Sequence, residues 1–279
     1  MIEPGSPFNS NRDNGSYEAA PLPPHPALTQ YYADERDRHS YVIRSFDASA
    51  SHYRHSYVIR SFDASASHYD WINQIMSFGT GHLYRRQALL RAGLVAGMHV
   101  LDVGCGTGVI ANHAAHIVGS QGCVIALDPS IGMLQEAIRR RVRPAILGVG
   151  ERLPFADNHF DMLTMGYALR HVADLGIVFR EYRRVLKPGG TVLLLEITPP
   201  TFPPFYTLLK LYLKWVIPAL AGLFRRSREA RGMMMYFWDT IERCVPPETI
   251  IAVFQSVGFK QVKHYVAGRI FSEYTARKG

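Results

Sequence analysis

The sequence predicts an α/β fold: a doubly wound, mostly parallel sheet with helices on both faces, an antiparallel close and a helical lid inserted before that close. Three observations carry this reading. From residue 98 onward, short apolar runs alternate with longer helical ones. The short runs are apolar at nearly every position, the pattern of strands buried on both faces rather than one. The first of them leads through a glycine-rich turn, "VLDVGCGTG", directly into a helix.

The elements follow in order. "MHVLDV" is the first strand and "VIANHAAHIV" the helix after its glycine turn. "CVIALD" is the second strand, followed by the helix "PSIGMLQEAIRRR"; "RPAILGV" is the third strand. "FDMLTMG" is the fourth, followed by the helix "ADLGIVFREYRRVL". Arg183 and Arg184 in the last turn of that helix, then "KPGG", read as a helix stop and a turn. "TVLLLEI" is the fifth strand. After Pro199 the pattern changes to amphipathic helices, "FPPFYTLLKLYLKWVIPALAGLFRR" and "MMMYFWDTIERCV", which read as a lid over about residues 200–245. A helix "PETIIAVFQSVGF" and an antiparallel pair, "KQVKHYVAG" and "RIFSEYTARK", close the fold.

Bulk properties narrow the function classes. A chain of 279 residues suits one domain with extensions. The balance of 31 basic against 23 acidic residues favours anionic partners. Cys105, Cys123 and Cys244 are odd in number and far apart, so no disulfide framework is expected and a reducing compartment is. The N-terminal stretch has no apolar core of signal-peptide type, and the longest apolar run, Trp215 to Phe224, is too short to span a bilayer. The expected location is cytoplasmic, with peripheral contact at the inner face of the membrane.

Residues 1–38 read as a disordered tail rich in proline and turn-forming residues. Next comes one phrase of fifteen residues said twice, His39–Tyr53 and His55–Tyr69, with Arg54 and Asp70 as the sixteenth letters. Two copies are too few for a solenoid. The second copy runs without a gap into "DWINQIMSFG", so residues 39–54 are expected to be surplus and residues 55–279 to form the working domain.

The glycine turn is the most informative stretch. Asp102 ends the first strand, and Gly104, Gly106 and Gly108 precede the helix. Glycines here permit a tight turn and a close approach of ligand to backbone. The spacing G-x-G-x-G is not the G-x-G-x-x-G of dinucleotide binders. The second strand ends at Asp128, whose carboxylate can accept from both hydroxyls of a ribose. The third ends at Val149 and Gly150. Three such strand ends facing one crevice make a nucleoside-sized site.

With these residues in place the chain resembles the class I S-adenosylmethionine-dependent methyltransferases. Within them it is similar to the ubiquinone/menaquinone biosynthesis C-methyltransferases of the UbiE type. The resemblance rests on "YDWINQIMSFG" from Tyr69 to Gly79, "LPFADNHFD" from Leu153 to Asp161, "LRHV" from Leu169 to Val172, "RVLKPGG" ending at Gly190 and "LEIT" from Leu195 to Thr198. It implies a Rossmann-like sheet of seven strands and S-adenosylmethionine as cofactor. It assigns the cofactor to Asp102, the three loop glycines, Thr107, Asp128, Val149, Gly150 and Gly166. It places Tyr69 and Asp70 at the mouth of the site as part of an N-terminal cover. It departs from the family at Val149, where Asp or Asn is usual, and at Gly166, where Ser is usual. Glu273 stands where the family has His.

The implied acceptor is a small hydrophobic phenolic or quinol ring. Carbon methylation needs an electron-rich ring, and a phenol ionises only near pH 10, so a base or a positive group beside its oxygen helps. The resemblance puts Arg170 there, as a fixed cation that stabilises the phenolate or orients a water. His171, where the family usually has Asn, could take the proton. Alternatives stay open: another phenolic acceptor, a polyene or polyketide, a phospholipid amine, or a cofactor-binding assembly partner without catalysis. A homodimer also stays open. Lys210 and Lys214, one turn apart among Leu, Tyr and Trp, suit a helix on an anionic membrane surface or a lid packed on the domain. "RRRVR" at Arg139–Arg143 reads as a solvated helix end, so no nucleic acid is expected, and His113 with His116 reads as helix surface, so no metal is.

Overall fold

The computed structural model describes Phe62, Asp63, Ala66 and residues 80–200, 202–216, 240–242 and 244–279. The tail, the first repeat copy, Tyr69, Asp70 and most of the expected lid lie outside these.

Helix α1 (Gly81–Arg91) precedes the sheet. Then come β1 (His99–Val103), α2 (Val109–Val118), β2 (Cys123–Asp128), α3 (Ile131–Arg139), β3 (Ala145–Leu147), β4 (Phe160–Gly166), α4 (Leu175–Val185) and β5 (Leu186–Ile197). Helix α5 (Pro203–Leu211) runs into a π-helical turn at Tyr212–Val216, and α6 (Pro247–Ser256), β6 (Phe259–Ala267) and β7 (Phe271–Lys278) finish the chain. The sheet order is β3-β2-β1-β4-β5-β7-β6. Strands β1 to β5 pair in parallel, while β7 pairs antiparallel with both β5 and β6. The order reverses between β1 and β4, and that switch point opens a crevice at the carboxyl ends of the strands.

Each face of the sheet has its own core. Leu101 and Val103 of β1 point into one, filled by Val178, Phe179 and Tyr182 of α4 and Val253 and Phe254 of α6. Val100 points into the other, with Leu89 of α1, Ile110 and Ala114 of α2 and Leu134 of α3. Burial on both faces is why the strand sequences show little alternation.

Two boundaries differ from the sequence reading. Helix α3 starts two residues later than expected because Ser130 caps it, its hydroxyl accepting from Met133 N at 3.1 Å. The "KPGG" segment is not a plain turn: β5 begins at Leu186, which pairs with Phe160, and pairing resumes only at the Met162–Thr191 pair. The intervening residues bulge out, with Gly189 at φ +77°.

Phe254 is fully buried, stacks on Phe179 at 3.9 Å between ring centroids and meets Phe259 edge-on at 5.2 Å. Phe254→Ala is expected to lower the unfolding free energy by about 3–5 kcal/mol, measured by urea denaturation. A loss below about 1 kcal/mol would show that this face can collapse around the gap.

Candidate functional site

The site is built on two buried carboxylates at neighbouring strand ends. Asp102 of β1 sits opposite Thr164 of β4 in the parallel register. Its Oδ1 accepts from Thr164 Oγ1 at 2.7 Å, and its Oδ2 accepts from Ala111 N at 3.0 Å, one of the free N–H groups in the first turn of α2. Burial pushes this carboxyl up to about 7 against the pull of both hydrogen bonds. Asp128 ends β2; its Oδ2 accepts from Gly106 N and its Oδ1 from Ser130 N, both at 2.8 Å. Burial raises it to about 6.

Between them runs the glycine loop. Gly104, Gly106 and Gly108 all have positive φ. At Gly106 (φ +55°) a Cβ would meet nothing within 4 Å, so its backbone faces open space. The loop thus offers a bare backbone to a ligand. Each Asp128 oxygen uses one lone pair on the protein and keeps another for a hydroxyl. These residues fit the ribose and methionine ends of S-adenosylmethionine. Thr107 is buried within the loop. Past β3, Val149 forms an isolated bridge with Arg152, and Gly148 N donates to Asp128 O at 3.2 Å, which brings the third strand end beside the second. Gly166 has a steric cause: Ile110 Cδ1 occupies the space a Cβ would need, so α2 packs where the family's Ser side chain would stand.

After β4 the chain turns through a short 3₁₀ segment, Leu169–His171. Arg170 points inward. Its Nη1 donates to Glu196 Oε2 at 2.9 Å, with both side chains about 1% exposed, and Glu196 Oε2 also accepts from Ile197 N at 3.0 Å. The cation expected beside the acceptor is thus a buried ion-pair partner, and the pair pins the turn after β4 to the end of β5. His171 is partly exposed as a residue, but its Nε2 is sealed from solvent. Burial, and then the neighbouring Arg170 charge, push the imidazole down to about 3. It is therefore neutral near pH 7.

Two residues of the second repeat copy reach this site. Phe62 meets the His171 ring edge-on at 5.4 Å. Asp63 Oδ1 accepts from Ser130 Oγ at 2.6 Å and from Gly132 N at 2.9 Å. Sequence reading singled out neither, nor Thr164, Ser130 and Glu196. "DPS" before a helix was a usable N-cap signal for Ser130; the others depend on contacts distant in sequence.

Other candidates resolve simply. Burial pushes the Cys105 thiol well up, which suits a packed residue and not a nucleophile. His116 Nδ1 donates to Asn112 O at 2.7 Å within its own helix, and His113 packs edge-on against His82 at 5.7 Å. Among the described residues no group of three His, Cys, Asp or Glu could hold a metal ion, and no helix is long and apolar enough to cross a membrane.

A glycine loop at the switch point, with carboxylates at the first two strand ends, fits the class of S-adenosylmethionine-dependent methyltransferases. Solved structures share the fold. One is a putative S-adenosyl-L-methionine-dependent methyltransferase from Methanococcus maripaludis, 18% identical with a TM-score of 0.56 over 77% of this chain and 93% of that one. Another is phosphoethanolamine N-methyltransferase 2 from Haemonchus contortus in complex with S-adenosyl-L-methionine, 17% identical with a TM-score of 0.55 over 77% and 57%. The model of the ubiE/COQ5 methyltransferase family matches residues 50–278, and the chain belongs to that family. It is similar to a demethylmenaquinone methyltransferase of Staphylococcus aureus, 38% identical over 57% of this chain and 68% of the relative. It is 34% identical to the ubiquinone/menaquinone biosynthesis C-methyltransferase UbiE of Shewanella woodyi, over 70% and 79%. It is 35% identical to a 2-phytyl-1,4-naphtoquinone methyltransferase of Synechococcus elongatus, over 70% and 85%.

The depressed His171 gives a pH prediction. The unfolded chain takes up its proton below about 6.5, and the folded chain only near 3. Between those values the unfolded state holds more protons, so the stability from His171 is present above 6.5 and is lost as pH falls. Urea midpoints at pH 7 and pH 5 should show wild type losing about 1–2 kcal/mol more than His171→Gln. Equal losses would place the imidazole in contact with water.

Proposed function

We propose that this methyltransferase transfers a methyl group to a ring carbon of a quinol on a lipid-soluble quinone precursor. The observation that supports this most directly is the "LRHV" turn beside the glycine loop: it brings a neutral imidazole and a buried cation to the strand end where an acceptor would meet a bound donor.

When bound, S-adenosylmethionine supplies the electrophilic methyl group. Gly104, Gly106, Thr107 and Gly108 would hold it, and Asp102 ties the first turn of the helix after the loop to β1 and β4. Asp128 would accept from the ribose hydroxyls and Val149 and Gly150 would flank the adenine, with Gly166, packed against Ile110, at the fourth strand end. Tyr69 and Asp70 belong to the cover. His171 accepts a hydrogen bond from the acceptor's hydroxyl and draws electron density into the ring. Its low proton affinity disfavours full transfer before the new C–C bond forms. Arg170, paired with Glu196 through Nη1, holds the turn that presents His171. All of these residues belong to the proposed 55–279 domain, which leaves out the tail (1–38) and the surplus copy (39–54) and takes residues 200–245 as its lid.

The lid also supports contact with an anionic membrane. Leu208 and Trp215 are about 64% and 66% exposed, and Phe202 and Leu211 are exposed beside them. Lys210 meets Glu242 at 2.8 Å and lies over the Tyr206 ring. Apolar side chains with lysine among them suit an interfacial helix and a substrate collected from lipid.

Labelled S-adenosylmethionine incubated with a prenylated benzoquinol, a prenylated naphthoquinol and a 4-hydroxyphenyl acid should place label on a ring carbon of a quinol, read by mass spectrometry. Label on oxygen, or on none of them, would reject the reading. Arg170→Ala and His171→Ala should each cut turnover about tenfold or more with cofactor affinity kept; unchanged turnover in both would remove these residues from the chemistry. The protein should co-sediment with phosphatidylglycerol vesicles at low salt, and Leu208→Glu with Trp215→Glu should abolish this. No binding by wild type would remove the membrane contact.

A further inference from the structure

The second repeat copy carries a role that its sequence does not announce. Asp63 and Phe62 are adjacent in the chain, yet they engage strand ends on opposite sides of β1. Asp63 accepts from Ser130 and Gly132, just past β2. Phe62 lies against His171, just past β4. In the sheet order, β2 and β4 flank β1, so the glycine loop lies between the two anchors. Ala66, one turn further on, is buried at 4% exposure, while Asp63 lies at the surface.

The anchors are also wired into the cofactor cradle. Asp63 Oδ1 takes the Ser130 hydroxyl, Ser130 N donates to Asp128, and Asp128 takes Gly106 N. One continuous string of hydrogen bonds thus runs from the repeat to the glycine loop. The seat is tight. A Cβ on Gly132 would stand 2.9 Å from Asp63 O and 3.0 Å from its Cα.

We propose that Phe62 and Asp63 form a clasp across the cofactor crevice, with Asp63 a positioning residue that orients the Asp128 carboxylate through Ser130 and slows cofactor release. The proposal rests on Asp128 being the ribose acceptor, and its test separates the two ideas. The neutral amide of Asp63→Asn keeps an oxygen that can accept from both donors. Asp63→Ala removes it. Gly132→Ala leaves Asp63 intact, favours the helix by propensity and pushes the clasp off its seat.

The experiment measures binding and release of S-adenosylmethionine by the full chain, using calorimetry and stopped-flow displacement, with melting temperature recorded alongside. Asp63→Ala and Gly132→Ala are expected to speed release about tenfold, the size of effect for a lost hydrogen bond to a charged group. Asp63→Asn should stay within about threefold of wild type, and Gly132→Ala should melt no lower than wild type. Asp47 holds the equivalent place in the first copy, so Asp47→Ala/Asp63→Ala is included to deny that copy the seat. Wild-type release in this double variant and in Gly132→Ala overturns the clasp. Wild-type affinity in Asp128→Ala overturns the ribose reading instead. Faster release in Asp63→Asn equal to that in Asp63→Ala shows a charge effect without a clasp, and overturns the positioning role.

Discussion

A carboxylate taken out of water must be hydrogen-bonded, and at this switch point two of them are. Asp102 and Asp128 end adjacent parallel strands. Among the described residues neither is in an ion pair; each is satisfied by N–H or O–H groups drawn from elements that would otherwise be independent. Asp102 ties β1 to β4 and to the first turn of α2. Asp128 ties β2 to the glycine loop and to the cap of α3. The backbone of the loop is therefore held from both sides while its open side stays bare. Both carboxyls are raised by burial, so hydrogen-bond donors brought to them would favour their ionised form.

The turn after β4 uses a different solution to the same problem. Arg170 is charged at any ordinary pH, and its burial is tolerable because Glu196 is buried with it. A buried pair of this kind contributes little net stability, but removing one partner leaves an uncompensated charge. That asymmetry makes the pair a register device between the end of β4 and the end of β5. The Arg170 charge has a second effect, on its neighbour: with burial, it keeps His171 neutral. In the proposed reaction, acceptor activation would draw on this neutral imidazole, held in place by a cation already paired with a carboxylate.

The legible parts of the sequence were those governed by local pattern. Helix α2 and strands β2 and β4 fall where the apolar runs place them, because a buried parallel strand is apolar throughout and a helix is not. The glycine loop was legible because positive φ at alternate positions restricts the residue type. The "LKPGG" stretch was half legible: proline and glycine marked a break, but a break within a strand and a break between elements look alike in sequence. Arg170 was legible as a notable residue and not as a buried one. Its partner stands 26 positions later, on a strand whose register no local rule sets.

The repeat makes the division plain. Its identity, its two copies and its junction with "DWINQIMSFG" are sequence facts, and they indicated which copy adjoins the domain. By itself the sequence determined the strand and helix alternation, the glycine loop and the carboxylates at two strand ends, all matters of residue type at short spacing. Only the tertiary structure decided that Asp63 meets the N-terminus of α3, that Phe62 covers His171 and that Glu196 neutralises Arg170. Those pairings are set by the order in which strands lie side by side, which brings together residues 26 to about 110 positions apart, beyond the reach of any periodicity.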